Sequence, residues 1–239
     1  MIEAFLMKLR ARDDVSAEEE RALRAAIGEV REIGPDKTII RAGDEISEST
    51  LLIEGLLCRY KDLRDGQRQI MELHVPGDFA DLHSLTLKRL DHNVMTLTRC
   101  RLAMAPHEGL RKITADYPHL TRVLWFSTNL DAAIHREWML SLGRRSALSR
   151  TAHFFCEMRI RLGLVGLADD DGYPLNLTQV DLAECLGLTS VHINRTLKEL
   201  RERRLVEFRG GRVSIHDLAG LERVAEFDPA YLHLERRGR

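Results

Sequence analysis

No stretch of the chain approaches the roughly 18 consecutive apolar residues that a membrane-spanning helix needs. The first residues, Met1-Ile-Glu-Ala-Phe-Leu-Met-Lys8, carry an early acid and no long apolar run, so a secretory signal is not expected. Cysteine is sparse and scattered: Cys58, Cys100, Cys156 and Cys185 include no C-x-x-C pair. That excludes a zinc ribbon, a thioredoxin-like motif and a sequence-evident iron–sulfur site. A reducing cytoplasm is the compartment these thiols fit. There is no P-loop, no G-x-S-x-G and no H-E-x-x-H, which argues against an enzyme, and no catalytic residue is assigned. Histidines stand at 74, 83, 92 and 107, but their spacing matches no metal site, so no metal ligand is assigned.

What is present is a globular composition: 239 residues, 44% hydrophobic and 31% charged, long enough for one large domain or two small ones. The net charge is −1 and unevenly spread. Residues 1–142 hold 20 Lys and Arg against 23 Asp and Glu, and residues 143–239 hold 16 against 14. Within 189–212 the ratio is 7 to 3, a local basic footprint of the kind nucleic-acid binders carry.

The texture changes along the chain. Ser16-Ala-Glu-Glu19 is a capping box and predicts a helix over 17–28. From Ile33 to Pro106, short apolar segments (38–40, 51–53, 56–60, 69–75 and 94–104) alternate with turn signals such as Ala42-Gly43-Asp44 and Pro76-Gly77-Asp78. This pattern predicts an antiparallel sandwich or barrel. Pro106 can open a helix over 107–115. A long helix then spans about 117–142. Its residues Leu120, Leu124, Ser127, Asp131, Ile134 and Trp138 recur at 4-3-4-3-4 spacing, beside a second stripe of Val123, Phe126, Leu130 and Ala133. Two apolar stripes must bury two sides, one on the β-domain and one on a second copy of the helix. Leu120, Leu124, Ser127, Leu130, Ile134 and Trp138 are the expected dimer contacts. Gly143 interrupts the pattern and places a domain boundary there, giving domains 1–142 and 143–239.

In the second domain, Thr178 caps a helix that Gly187 ends, and Thr189 caps another running to Arg203. Val180, Leu182, Leu186, Leu188, Ile193, Leu197 and Leu200 are expected to point inward. Gln179, Thr189, Ser190, Val191, His192, Asn194, Arg195 and Lys198 are left outside. This is a helix-turn-helix whose second helix presents its first turns to a DNA major groove. The runs 205–208 and 213–215, joined through Arg209-Gly-Gly-Arg212, form a hairpin whose arginines suit phosphate contacts.

Together, Ile53-Glu-Gly55, Pro76-Gly-Asp-Phe79, the long helix, Leu186-Gly-Leu-Thr189 and Ile193-Asn-Arg-Thr-Leu197 resemble the Crp/Fnr family of bacterial transcription regulators. The resemblance covers residues from about 15 to 225. It implies an α+β fold: an N-terminal antiparallel β-roll of jelly-roll type (a double-stranded β-helix), a long dimerisation helix and a C-terminal winged helix-turn-helix. It also implies a homodimer on an inverted-repeat operator in double-stranded DNA, with RNA polymerase as a further partner. By the same resemblance Arg195 contacts guanine, while Val191 stands where many relatives have a glutamate. The effector pocket would involve Gly77, Asp78, Phe79, Asp81, Leu82, His83, His92 and Asn93. Cyclic-nucleotide binders of the family use a Gly-Glu pair for the ribose and Arg-Ser-Ala for the phosphate. Here Asp81-Leu82 and His92-Asn93-Val94 stand in those places, so cyclic AMP is not expected. Residues 1–35 contain no cysteine, so the cluster of the oxygen-sensing members is absent. The alternative reading is a β-roll that binds a cyclic-nucleotide-like ligand or haem and thereby switches DNA binding. The effector stays unidentified.

Overall fold

The computed structural model of the protein describes residues 1–238. It opens with α1 (Glu3–Arg10) and α2 (Ala17–Ala26). Helix α1 lies outside the sequence expectation, although Ile2, Phe5, Leu6 and Leu9 repeat at helical spacing and all are buried. Helix α2 has the expected cap. Ser16 Oγ accepts the Glu19 N–H at 3.2 Å, and the Glu19 carboxylate accepts the Ser16 N–H at 2.8 Å. It ends two residues before the expected limit.

The strands β1 (Val30–Ile33), β2 (Lys37–Ile40), β3 (Glu48–Glu54), β4 (Leu57–Asp62), β5 (Arg68–His74), β6 (Asn93–Thr96) and β7 (Cys100–Pro106) form two antiparallel sheets. Their orders are β1-β7-β3 and β2-β6-β4-β5. The apolar run 94–104, expected as one strand, divides at a bend over Leu97 and Thr98, so β6 and β7 lie in different sheets. Leu52, Leu57, Val94 and Leu102 fill the space between the sheets, as a jelly-roll requires. Between β5 and β6 lies the short α3 (Ser84–Leu87).

The outer face of the β1-β7-β3 sheet is covered by helices. Phe5, Leu6 and Leu9 of α1, Leu110 and Ile113 of α4 (His107–Asp116), and Leu120, Val123 and Leu124 of α5 (Pro118–Arg144) share one apolar cluster with Leu51 and Ala103. Helix α5 runs straight through Gly143. An exposed glycine lowers helix stability by about 1 kcal/mol without ending a helix held by tertiary packing. The helix stops only where Arg145 turns extended.

The remainder is α6 (Ala147–Gly163), β8 (Gly172–Pro174), α7 (Gln179–Leu186), α8 (Ser190–Glu202), β9 (Val206–Arg209), β10 (Arg212–Ile215), α9 (Leu218–Ala225) and a 3-10 turn over Pro229–Leu232. The expected hairpin is β9-β10. Strand β8 adds a third strand beside β10. The two halves of the chain share a core: Cys58, Tyr60, Ile70 and Leu73 of the roll pack in one cluster with Leu182, Cys185 and Leu186 of α7. Gln69 Nε2 also donates to the Glu184 carbonyl at 2.8 Å. The change at residues 143–146 is therefore a change of chain course and not a gap in packing.

Within that core lies a buried carboxylate, Glu157 of α6. It accepts Trp138 Nε1–H of α5 at 3.0 Å, Arg161 Nη1–H at 2.9 Å and the Tyr231 hydroxyl at 2.8 Å. Three elements thus converge on one acceptor that is fully buried. Glu157→Ala leaves Trp138 and Tyr231 without their acceptor and takes an anion from beside Arg161. We expect a loss of about 3–5 kcal/mol, measured as a lower urea midpoint with an unchanged slope; a loss below about 1 kcal/mol would show that the network is not stabilising.

Candidate DNA interface and sensor cavity

The helix-turn-helix forms for local reasons. Thr178 Oγ1 accepts the Asp181 N–H at 3.1 Å and the Asp181 carboxylate accepts the Thr178 N–H at 2.7 Å, a closed capping box for α7. Gly187 ends α7 at φ +57°, a left-handed conformation that disfavours a side chain. Thr189 then caps α8 by accepting the His192 N–H at 3.2 Å. Ala183 is buried, and Ile193 and Leu200 are fully buried behind the exposed surface of α8. Val180 corrects the inward set: it is exposed, at the first turn of α7 where no helix crosses it. Leu188 and Leu197 are half-buried.

Gln179, Thr189, Ser190, Val191, His192, Asn194, Arg195 and Lys198 are all exposed, as are Arg209 and Arg212 at the wing. Asn194 Nδ2 donates to the Ser190 carbonyl at 2.9 Å, and Lys198 Nζ lies 3.7 Å from Glu202. Gln179, Asn194 and Lys198 line a shallow groove with Arg201. Arg201 was not in the expected set; its place three residues after Lys198 on the same helix is the signal that could have found it. Arg212 lies 3.5 Å from Asp169, so its charge is partly answered within the protein.

The long helix corrects the expected dimer face. Leu120, Leu124, Ile134 and Trp138 are buried inside the protomer, and Ser127 and Leu130 are half-buried. That stripe packs on α1, the roll and α6. The face left open carries Trp125, Asn129, Ala132, Arg136 and Met139 at 4-3-4-3 spacing. Trp125 is 67% exposed and Met139 69%.

Between α1, the roll and α5 lies a cavity of about 70 Å³. Of the residues expected in an effector pocket, Gly77, Asp78, Phe79, Leu82 and His83 line it. Asp81, His92 and Asn93 do not line it. Asp81 is buried against β3, where it accepts the Thr50 N–H at 2.5 Å; burial pushes its carboxyl up to about 7, against the pull of that hydrogen bond. His92 Nδ1 sits 3.0 Å from Asp91, and Asn93 Oδ1 accepts the Ala42 N–H at 3.0 Å. Asp78 is committed elsewhere, to Lys8 at 2.6 Å and Arg161 at 3.0 Å.

The chemistry of the cavity wall was not visible in the sequence. Arg59 of β4 is buried, with Nη1 2.8 Å from Glu72 of β5 and 2.6 Å from Asp131 of α5. Burial pushes the Glu72 carboxyl well up. Burial acts the same way on Asp131, but Arg59 overcomes it and holds that carboxyl well below its usual range. Burial and the Arg59 charge push His83 down to about 4. The cavity is therefore lined by the carboxylates of Asp13, Glu72, Asp78 and Asp131, by Lys8, Arg12, Arg59 and Arg161, and by the imidazole of His83.

With this geometry in hand, comparison with known proteins is specific. Residues 30–117 match the cyclic nucleotide-binding domain family and residues 149–224 the Crp-like helix-turn-helix domain family. The chain is 30% identical to the nitrogen fixation regulation protein FixK of Bradyrhizobium diazoefficiens over 79% of this chain and 78% of that one. It is 32% identical to the transcriptional activatory protein AadR of Rhodopseudomonas palustris over 72% and 71%. The structure of FixK2 from Bradyrhizobium japonicum superposes with a TM-score of 0.75 at 24% identity, covering 82% of this chain and 96% of that one. The fold, the exposed recognition helix and these relatives agree: the chain belongs to the Crp/Fnr family of DNA-binding transcription regulators.

Proposed function

We propose that the protein acts in the cytoplasm as a homodimer that reads an inverted-repeat operator. It comprises a sensor half carrying α5 and a DNA-binding half beginning near residue 143. The observation that carries this reading is the recognition helix. Its first two turns are exposed and polar, with Ser190, His192, Asn194 and Arg195 turned away from the core that Ile193 and Leu200 anchor. The Arg195 fork can reach guanine O6 and N7 together, worth about 1–3 kcal/mol of discrimination. Val191 offers a methyl surface to thymine and no acceptor. Arg209 and Arg212, on the wing, answer phosphates. Two relatives bear names that make them activators of transcription, and the same output through RNA polymerase is proposed here.

The sensor half is proposed to respond to something other than a cyclic nucleotide. Cations line the cavity, but Arg59 is already paired with Glu72 and Asp131, and Lys8 and Arg161 are paired with Asp78. Leu82 is buried and offers no bond to a ribose. A cavity of about 70 Å³ is also far below the roughly 300 Å³ at which pockets for drug-sized ligands begin. Calorimetric titration with cyclic AMP should give no heat at millimolar concentration; a micromolar dissociation constant would overturn this part.

Selection of binding sites from random DNA tests the operator reading. Arg195→Ala should relax preference at one base pair per half-site. Arg212→Ala should weaken all sequences alike and make the salt slope shallower by about one unit per half-site. An unchanged selected motif for Arg195→Ala would show that another face of α8 enters the groove.

The dimer is proposed to form along Trp125, Ala132 and Met139, the exposed stripe of α5. A parallel pair of α5 helices would place two recognition helices about one turn of DNA apart. Trp125→Asp combined with Met139→Asp should give a folded monomer by sedimentation velocity, with native circular dichroism. A dimer that survives both charges would place the interface elsewhere.

A further inference from the structure

Beside the sensor cavity lies a cluster of donors in which Glu72 and Asp131 share the single Arg59 Nη1 as their cation. Glu72, Asp131 and His135 each bring one ligand atom to within 4.8 Å of the others. Asp131 and His135 are one turn apart on α5 and so share a face; Glu72 approaches from β5. His135 Nδ1 lies 3.1 Å from the Asp131 carbonyl. A carbonyl only accepts, so Nδ1 carries the proton and Nε2 presents its lone pair. That lone pair faces Glu72 Oε2 at 3.2 Å. Two acceptors at such a distance repel unless a cation or a proton lies between them.

A second observation points to the same place. His74 is fully buried, and neither of its ring nitrogens has a hydrogen-bond partner. A buried imidazole without partners is rare because its desolvation is uncompensated. Its Nε2 is 3.9 Å from the same Glu72 Oε2. His83 Nδ1 stands 4.0 Å from Asp131 on the other side.

We propose that this cluster is a binding site for one first-row divalent transition metal ion of the zinc or ferrous type, with Glu72, Asp131 and His135 as ligands and the unpartnered His74 beside Glu72. Mixed imidazole and carboxylate donors suit these ions. Metal–ligand bonds of about 2.0–2.2 Å place neighbouring ligand atoms about 3.0–3.5 Å apart. Glu72 and His135 already stand at that separation. The hydrogen bond from His135 Nδ1 to a backbone carbonyl is the support that ligating histidines have. In the metal-free protein the cation between the carboxylates is Arg59 Nη1. The Arg59 side chain is anchored independently, through Nε on the Ala80 carbonyl at 2.8 Å, so the ion has to displace only the terminal nitrogen. The site spans β5 and α5, and ion binding therefore ties the roll to the long helix. This inference goes beyond the operator reading and does not depend on it: loss of metal binding would leave DNA selection unaltered.

The test is titration of the full chain with Zn²⁺ by calorimetry and with Co²⁺ by visible absorption, whose d–d bands report the donor set. One ion per chain with a dissociation constant of micromolar or tighter is expected. His135→Ala should weaken binding at least tenfold; its side chain is 35% exposed, so folding is retained and is checked by circular dichroism. Arg59→Gln removes the competing cation and should tighten binding. His119→Ala, which alters a separate histidine beside Asp13 and Glu19, should leave the affinity unchanged. Absence of binding below 100 µM in the unaltered protein, equal affinity in His135→Ala, or loss of binding in His119→Ala would each overturn the proposal. Should Arg59→Gln fail to fold, His135→Ala decides alone.

Discussion

A chain of alternating charges runs through the middle of the molecule, and the placement of its parts depends on it. Lys8 of α1 meets Asp78 of the Pro-Gly-Asp-Phe turn at 2.6 Å, Asp78 meets Arg161 of α6 at 3.0 Å, and Arg161 meets Glu157 at 2.9 Å. Burial alone would raise the Asp78 carboxyl; Lys8 and Arg161 overcome that and hold it well below the usual range. Burial lowers Lys8 to about 8, against the attraction of Asp78. Arg161 also donates to the Leu73 carbonyl at 2.7 Å. The two inner charges, Asp78 and Arg161, each have a partner on both sides, which makes their burial tolerable. The turn that relatives of cyclic-nucleotide type place beside a ligand is here a joint between the N-terminal helix and the DNA-binding half. Gly77 belongs to the same constraint: at φ +86° it lets α1 approach so closely that a Cβ would lie 2.7 Å from the Ala4 carbonyl carbon.

What could be read from sequence follows the range of the interactions. The caps of α2, α7 and α8 join residues three apart, so Ser16, Thr178, Gly187 and Thr189 announce their elements without knowledge of the rest. The exposed face of α8 was legible for the same reason, since the buried Ile193 and Leu200 fix its orientation. The long helix was half legible. Its two apolar stripes showed that two sides are buried, but periodicity does not say whether a neighbour comes from the same chain. The stripe at Leu120, Leu124, Ile134 and Trp138 turned out to be the inner one because α1, unforeseen, and α6 supply its partners. The cavity wall was not legible. Arg59 and Asp131 are 72 positions apart, and nothing local in either segment marks the pair.

The family resemblance and the local chemistry answer different questions. Likeness in the roll shows the fold of residues 30–117. It does not fix the sign of the charge there. A site for a phosphodiester needs an unpaired cation and donors. In this chain Arg59 is paired with Glu72 and Asp131, and Lys8 and Arg161 are paired with Asp78. Residue choices at β4, β5 and α5 thus commit Arg59 to two carboxylates of the protein itself.

Helix α5 is where these features become one system. Asp131 faces the cavity, Trp138 donates to Glu157 beside the DNA-binding half, and Trp125 and Met139 lie on the open side. A ligand can alter DNA affinity only by binding two arrangements of the protein unequally. The contacts that would differ are few and identifiable: the Arg59–Asp131 pair, which ties β4 to α5, and the Gln69–Glu184 contact, which ties β5 to α7. Both ends meet on adjacent antiparallel strands, Arg59 pairing with Glu72 across the β4-β5 ladder and Gln69 three residues before it. A displacement of Arg59 from Asp131 therefore acts on the strand pair that also seats α7. It does so through packed backbone, with no flexible linker between the two sites.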